Sequence, residues 1–108
     1  MKYEIRYSKY SLKDLYKLDN SQRERVIKAI KKVSINPLPD YEGGYGKPLG
    51  KRGDNNLTGF LKIKLKKDGI RVVYKLIKID KIMYIVVIGV RAADDVYKEA
   101  QRRKLDAE

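Results

Sequence analysis

The stretch "LKIKLKKDGIRVVYKL", from Leu61 to Leu76, alternates apolar and basic residues on either side of an Asp-Gly pair. Asp68-Gly69 is a strong hairpin signal, because a two-residue type I′ turn needs positive φ at both central positions and this pair tolerates it. We therefore predict two antiparallel strands whose turn is flanked by Lys67 and Ile70. In that register the opposed pairs are Lys66 with Arg71, Lys64 with Val73, and Lys62 with Lys75.

The two faces of this hairpin have opposite characters. Because side chains alternate between the faces of a strand, the apolar residues share one face, which we expect to be core. The other face carries five cations, namely Lys62, Lys64, Lys66, Arg71 and Lys75. Like charges directly opposite one another destabilise a sheet, by a few tenths of a kcal/mol to about 1 kcal/mol per pair. The fold gains nothing from this arrangement, so we expect an anionic partner for the cationic face.

The net charge of the chain also indicates an anionic partner. Its 108 residues include 26 Lys and Arg against 14 Asp and Glu, which gives a formal charge of +12. Such a surplus favours a polyanionic partner such as nucleic acid. Nine of the basic residues and two of the acidic ones lie between positions 51 and 78. The length suits a single domain spanning residues 1–108.

Cysteine and histidine are both absent, and their absence excludes several kinds of chemistry. Without cysteine the chain has no disulfide and no thiolate site, which fits a reducing compartment. Without histidine it lacks the usual general acid or base and the commonest transition-metal ligand. The start "MKYEIRYSKY" has no signal-peptide core, and "IMYIVVIGV", from Ile82 to Val90, is too short to span a bilayer. We therefore expect a soluble, cytoplasmic protein.

The first third of the chain predicts a strand and two helices. Alternating apolar residues between positions 3 and 7 predict the strand. Apolar residues at helical spacing follow in two groups: Leu12, Leu15, Tyr16 and Leu18, then Val26, Ile27, Ile30 and Val33. The sequence "SQRE" between them predicts a capping box, with Ser21 as N-cap and Glu24 three residues on. The second helix should stop near Asn36, because Pro37 follows it.

The rest of the chain predicts a long loop, the hairpin, a further strand and a final helix. Residues 36–59 hold all three prolines and six of the eight glycines, which is typical of a functional or partly disordered loop. The segment from Ile82 to Gly89 is apolar on both faces and should be a central strand, covered by helices on one side and at least partly buried on the other. "DDVYKEAQRRK" then predicts a short helix. The predicted class is α+β: two N-terminal antiparallel helices packed on a four-stranded, largely antiparallel sheet, with a short C-terminal helix.

This order of elements, together with the motifs of the hairpin and the C-terminal segment, resembles the RelE/ParE superfamily of bacterial toxins. The resemblance is to the RelE branch, the ribosome-dependent mRNA endonucleases of toxin-antitoxin pairs. Its motifs are a Lys-x-Lys strand, a Gly-x-Arg-x-x-Tyr strand and an Arg-x₅-Tyr ending, which occur here in order between Thr58 and Ala100. The resemblance places the catalytic positions at Lys62, Lys64, Arg71, Arg91 and Tyr97.

The resemblance implies a reaction without metal or other cofactor, in which a 2′-hydroxyl of mRNA attacks the adjacent phosphodiester. The products are a 2′,3′-cyclic phosphate and a 5′-hydroxyl. Lys62, Lys64 and Arg71 would hold and neutralise the scissile phosphate. Arg91 would contact that phosphate and protonate the leaving oxygen, and Tyr97 would orient or deprotonate the 2′-hydroxyl. The implied partners are the ribosome, mRNA and an antitoxin that wraps the toxin and neutralises or displaces this surface.

Further cations are candidates for RNA binding, and plainer interpretations stand beside the catalytic one. The binding candidates are Lys51, Arg52, Lys66 and Lys75. A charged strand face is commonly only solvated. Arg71 also suits a structural ion pair and Tyr97 also suits core packing, although we expect Arg91 and Tyr97 to lie near the surface. The rival functions are a ParE-like toxin that binds DNA gyrase without catalysis and a plain nucleic-acid-binding module.

Overall fold

The computed structural model describes residues 2–52, 55–90 and 93–105 of the chain. At positions 52, 55, 93, 94 and 105 it describes the backbone alone. The strands are β1 (Glu4–Tyr7), β2 (Lys47–Arg52), β3 (Asn55–Leu65), β4 (Ile70–Ile77) and β5 (Ile82–Gly89). The helices are α1 (Lys9–Tyr16), α2 (Asn20–Ser34) and α3 (Ala93–Leu105), with a 3₁₀ turn at Asp40–Glu42.

The described strands form a mixed sheet in the order β1-β5-β4-β3-β2. β1 runs parallel to β5, and the other neighbours are antiparallel. The α+β class is confirmed, but the four-stranded sheet is wrong, because a fifth strand is present. That strand is β2, which lies inside the predicted loop 36–59 and pairs with β3 at the sheet edge. The strand was not predicted because it contains Pro48. Proline is excluded from central strands, but an edge strand such as β2 tolerates it.

The segment between α2 and β2 packs on the sheet. The Tyr74 hydroxyl donates a hydrogen bond to the Pro37 carbonyl at 2.9 Å. A side chain at Gly46 would collide with the Tyr74 hydroxyl and would stand 2.5 Å from a methyl group of Leu61. This part of the predicted loop is therefore structured, and glycine allows its close approach to the sheet.

The hairpin between β3 and β4 forms in a different register from the predicted one. Its turn spans the four residues from Lys66 to Gly69, of which only Gly69 has positive φ, so the type I′ turn is wrong. Asp68 instead holds Arg25 on α2 in an ion pair of 2.6 Å. The observed pairs are Lys64 with Arg71, Lys62 with Val73 and Phe60 with Lys75. Because the register differs by two residues, the predicted division into an apolar and a basic face is unchanged.

Helices cover both faces of the sheet. The first core cluster joins α1 and α2 to the sheet and includes Leu15, Leu18, Val26, Ile30, Leu61, Val72, Tyr74 and Ile85. The second lies under α3 and includes Leu57, Phe60, Val73, Val87, Val96, Tyr97 and Ala100. The prediction of a central strand from Ile82 to Gly89, buried on both sides, is confirmed.

The helix starts are set by capping side chains. Ser8 caps α1 by accepting a hydrogen bond from the Ser11 amide at 3.0 Å. Asp19 caps α2 by accepting one from the Gln22 amide at 2.8 Å. The predicted capping box at Ser21 is therefore wrong, because a carboxylate two residues earlier takes the N-cap position. None of the helices in the described ranges is both long and apolar enough to cross a membrane.

Candidate functional site

Four cations meet on the face of the sheet that also carries α3. The register places Lys47 of β2 opposite Lys62 of β3, and Lys64 of β3 opposite Arg71 of β4. Opposed residues have Cα atoms about 4.5–5.5 Å apart, and residues two apart on a strand are separated by about 7 Å. These four residues, called the basic quartet below, therefore form one compact patch. Sequence reasoning missed Lys47, because the predicted loop hid its strand.

No carboxylate in the described part of the chain neutralises the basic quartet. None of its members forms an ion pair within residues 2–52, 55–90 and 93–105. Asp68, in the adjoining turn, is held by Arg25, and that hydrogen bond holds the pKa of its carboxyl below the usual range. The patch is thus a concentration of positive charge suited to an anion such as phosphate.

Arg71 has a buried donor for which the described residues offer no acceptor. Its side chain is half-buried, and its Nε–H has no hydrogen-bond acceptor among the described residues. Buried polar groups are normally paired, and an unpaired one in a native site needs an explanation. Guanidinium groups bind phosphate oxygens through strong, directional hydrogen bonds. Arg71 is therefore the member of the basic quartet that best fits a bound phosphate.

Tyr97 lies at the border of the basic quartet but is buried. It is 2% exposed in the cluster under α3, so the expectation of a surface position is wrong. The physical reason is that one side of α3, including Val96 and Ala100, packs on Val73 and its neighbours. Val73 stands directly opposite Lys62, which places the Tyr97 cluster against the quartet.

Gly89 explains how α3 comes so close to this row of the sheet. Gly89 lies on β5 and stands opposite Arg71 of β4, which in turn stands opposite Lys64 of β3. A Cβ at Gly89 would lie 2.8 Å from a methyl group of Val96, closer than side-chain atoms approach one another. The missing side chain therefore allows the helix to pack against β5 one residue before Tyr97.

The remaining predicted site residues are dispersed. Lys66 is exposed in the hairpin turn, next to the quartet. Lys75 is opposite Phe60 and stacks over the Tyr84 ring at 5.4 Å. Lys51 pairs with Asn56 and lies four residues along β2 from Lys47, so it is about 13 Å from the nearest member of the quartet. Arg52 follows it in β2, without a described side chain, and Arg91 lies outside the described residues.

No family model matches the chain. A RelE-like toxin protein of Escherichia coli is 32% identical over 104 residues, covering 95% of this chain and 98% of that protein. The chain belongs to the RelE-like toxin family. The mRNA interferase toxin RelE of E. coli is 29% identical to the present chain over 105 residues, which cover 97% of this chain and 100% of RelE.

Solved structures agree with the assignment. A double-arginine variant of E. coli RelE in the free state matches this RelE-like toxin with a TM-score of 0.73 and 28% identity, covering 95% of this chain and 98% of that one. The same RelE variant in complex with a peptide of the antitoxin RelB matches with a TM-score of 0.67 and 28% identity, covering 93% and 95%. These relatives favour the RelE branch over the ParE-like alternative.

Proposed function

We propose that this RelE-like toxin is an endoribonuclease that cuts mRNA in the ribosomal A site and so inhibits translation. The single observation that carries the proposal is the basic quartet with its buried, unsatisfied Arg71 donor. Relatives that match 97% of this chain are named mRNA interferases, which supports the same activity here.

In the proposed reaction the 2′-oxygen of one nucleotide attacks the adjacent phosphorus. The bond from phosphorus to the 5′-oxygen of the next nucleotide breaks, and the proton lost by the 2′-hydroxyl is balanced by one gained at the leaving oxygen. The products are a 2′,3′-cyclic phosphate and a 5′-hydroxyl. The negative charge on the phosphoryl oxygens grows in the transition state, so fixed cations lower the barrier.

The basic quartet supplies those cations. Lys62, Lys64 and Arg71 would hold and neutralise the scissile phosphate, and Lys47 would extend the contact to a neighbouring phosphate. These residues project from paired strands, so the cations are held in place before the substrate binds and need little reorganisation.

Proton transfer is assigned to residues of the C-terminal segment. Tyr97 would orient or deprotonate the 2′-hydroxyl, and Arg91 would contact the phosphate and protonate the leaving oxygen. The Tyr97 ring is 2% exposed, so its contact with RNA requires the side chains that cover it to move apart when the substrate binds.

We also propose a cognate antitoxin as the partner of this chain. The support is the solved complex of RelE with a RelB peptide, whose toxin shares 28% identity with this chain. An acidic antitoxin segment would neutralise the basic quartet and so block the RNA site.

Sequencing of RNA 5′-ends after induction in a bacterium tests the proposed activity. An A-site nuclease must leave new ends inside codons at a fixed position of the reading frame. Ends scattered without regard to frame, or growth arrest with no new ends, would count against the proposal. Inhibition of gyrase supercoiling by the purified protein would instead support the ParE-like alternative.

A further inference from the structure

The strand β5 extends past its neighbour β1, and side chains, among them those of Asp14 and Arg103, close the edge that remains. β1 pairs with residues Ile82 to Ile85 only, which leaves the next backbone groups of β5 without a strand partner. The Ile88 amide donates a hydrogen bond to the Asp14 carboxylate at 3.0 Å. Arg103 donates one to the Val86 carbonyl at 2.7 Å. Side chains from α1 and α3 therefore substitute for a missing strand.

The same two side chains also bind each other. Arg103 donates from both terminal nitrogens to the Asp14 carboxylate, at 2.8 and 3.2 Å, and the side chains are 11% and 14% exposed. The Arg103 Nε–H donates to Glu99 at 2.7 Å, and its guanidinium stacks over the Tyr10 ring at 5.5 Å. The pair, called the Asp14–Arg103 clasp below, joins α1, β5 and α3 at one largely buried point.

The clasp holds one end of α3 against β5. The close contact of Val96 with Gly89 holds the other end. Val96, Ala100 and Arg103 fall at helical spacing on a single stripe, and the first two are fully buried. Val96 contacts β5 at Gly89 and Arg103 contacts it at Val86, so α3 runs back along this strand. The seven helical steps from Val96 to Arg103 span about 10.5 Å. This length matches the roughly 10 Å that three strand steps span from Val86 to Gly89.

We propose that Asp14 and Arg103 are positioning residues that hold α3 in register with β5 and thereby hold Tyr97 at the border of the basic quartet. This inference rests on the proposed function. Neither residue belongs to the quartet, so neither contacts the substrate phosphate in this account. Loss of the clasp releases α3 from its fixed point on β5, which displaces Tyr97 and leaves the phosphate-binding cations in place.

Kinetics of mRNA cleavage on programmed ribosomes test the proposal. Arg103→Gln and Asp14→Asn should lower kcat by roughly 10–100-fold, the expected cost of misplacing a reacting group by about 1 Å. KM should stay near the wild-type value, because the quartet is intact. Arg102→Gln is the matched control: it removes the same charge one residue away, from a side chain that pairs with Glu99 and is 66% exposed. That control should keep the wild-type kcat.

A second control separates positioning from general loss of stability. Val26→Ala makes a cavity in the first core cluster, on the other face of the sheet from Tyr97. Assayed well below its melting temperature, it should keep the wild-type kcat. Equal losses of kcat in Val26→Ala and Arg103→Gln would overturn the proposal, as would a wild-type kcat in a folded Arg103→Gln protein. If Arg103→Gln does not fold, Asp14→Asn decides in its place, since it keeps an acceptor for the Ile88 amide.

Hydrogen exchange of the amides between Val96 and Ala100 tests the clasp without any activity. Arg103→Gln should speed their exchange at least about tenfold relative to wild type, because local opening of α3 becomes easier. Arg102→Gln should leave the exchange unchanged. If wild-type protein cleaves no mRNA, the proposed function fails while this measurement still decides the clasp. Unchanged protection in Arg103→Gln would overturn it.

Discussion

Lys64 of β3 stands directly opposite Arg71 of β4, and neither side chain forms an ion pair within the described part of the chain. Two cations at this separation repel each other, so the fold bears a cost for holding them together. In the proposed site, a bound phosphate would remove the repulsion and would satisfy the buried Nε–H of Arg71. The stability of the free toxin and its activity should therefore respond in opposite directions to the loss of either charge.

Replacing Lys64 with Gln should leave the free toxin as stable as wild type or more stable, by a few tenths of a kcal/mol to about 1 kcal/mol at low ionic strength. Salt should shrink the gain, because the Debye length is only about 10 Å at 0.1 M. Cleavage should fall sharply. Denaturant melts at low and high salt, with Lys28→Gln on α2 as the matched control, measure the first effect. A variant that loses stability and keeps full activity would show that Lys64 is structural.

Lys47 should contribute to RNA binding as much as Lys62, because the two lysines stand opposite each other. Log affinity for single-stranded RNA should fall with log salt at a slope of about −0.7 per phosphate contacted, and Lys47→Gln should flatten it by about 0.7. Titrations at several salt concentrations measure the slope. The same substitution at Lys28, on the opposite face of the sheet, should not change it. An unchanged slope in Lys47→Gln would place the RNA away from β2.

Tyr97→Ala should destabilise the protein by about 3–5 kcal/mol, the usual cost of removing a buried aromatic ring. A Tyr97 side chain at the surface would instead cost little stability when truncated. Tyr97→Phe keeps the ring and should keep most of the stability while losing cleavage. Thermal melts and cleavage assays of both variants are needed. Full cleavage by Tyr97→Phe would show that the hydroxyl has no role in the reaction.

Gly89→Ala should destabilise the protein and lower cleavage, because the added methyl group would meet Val96 at 2.8 Å and push α3 off the sheet. Adding Val96→Ala removes the obstructing methyl group and should restore part of both properties. Melting temperature and cleavage rate of the single and double variants measure the coupling. Strictly additive effects of the two substitutions would argue against direct contact.

Stability should fall in acid partly through Glu99. Hydrogen bonds from Arg102 and Arg103 hold the pKa of this carboxyl below its usual range. A carboxyl with a lowered pKa in the folded state stabilises the fold above its unfolded pKa, about 4.3, and loses that contribution as pH falls through the folded pKa. The advantage of wild type over Glu99→Gln should therefore narrow as the pH falls below about 5. A constant difference in unfolding free energy across that range would contradict this assignment.

The division of the hairpin into faces could be predicted, whereas its register could not. Alternation has a period of two residues, so a two-residue change of register leaves every side chain on its expected face. In the observed turn Asp68 contacts Arg25, which is 43 positions away, and the local sequence carries no signal of this pairing.

The site was only partly predictable for similar reasons. Lys62, Lys64 and Arg71 follow from local alternation and family motifs, and the structure brings them together. Lys47 reaches them only because it lies on the edge strand β2. The proline in that strand hid it from sequence-based prediction. The burial of Tyr97 depends on the contact between Gly89 and Val96, a packing detail that helical periodicity does not reveal.

The central claim is that the basic quartet binds the scissile phosphate of mRNA in the ribosomal A site. Its most direct test is single-turnover cleavage of mRNA on purified, programmed ribosomes by wild type and Arg71→Gln, with both products mapped. Wild type should give one cut inside the A-site codon, with a 2′,3′-cyclic phosphate and a 5′-hydroxyl. Arg71→Gln, equally folded, should be slower by about 10²–10³-fold. Cleavage by Arg71→Gln at the wild-type rate would contradict the claim.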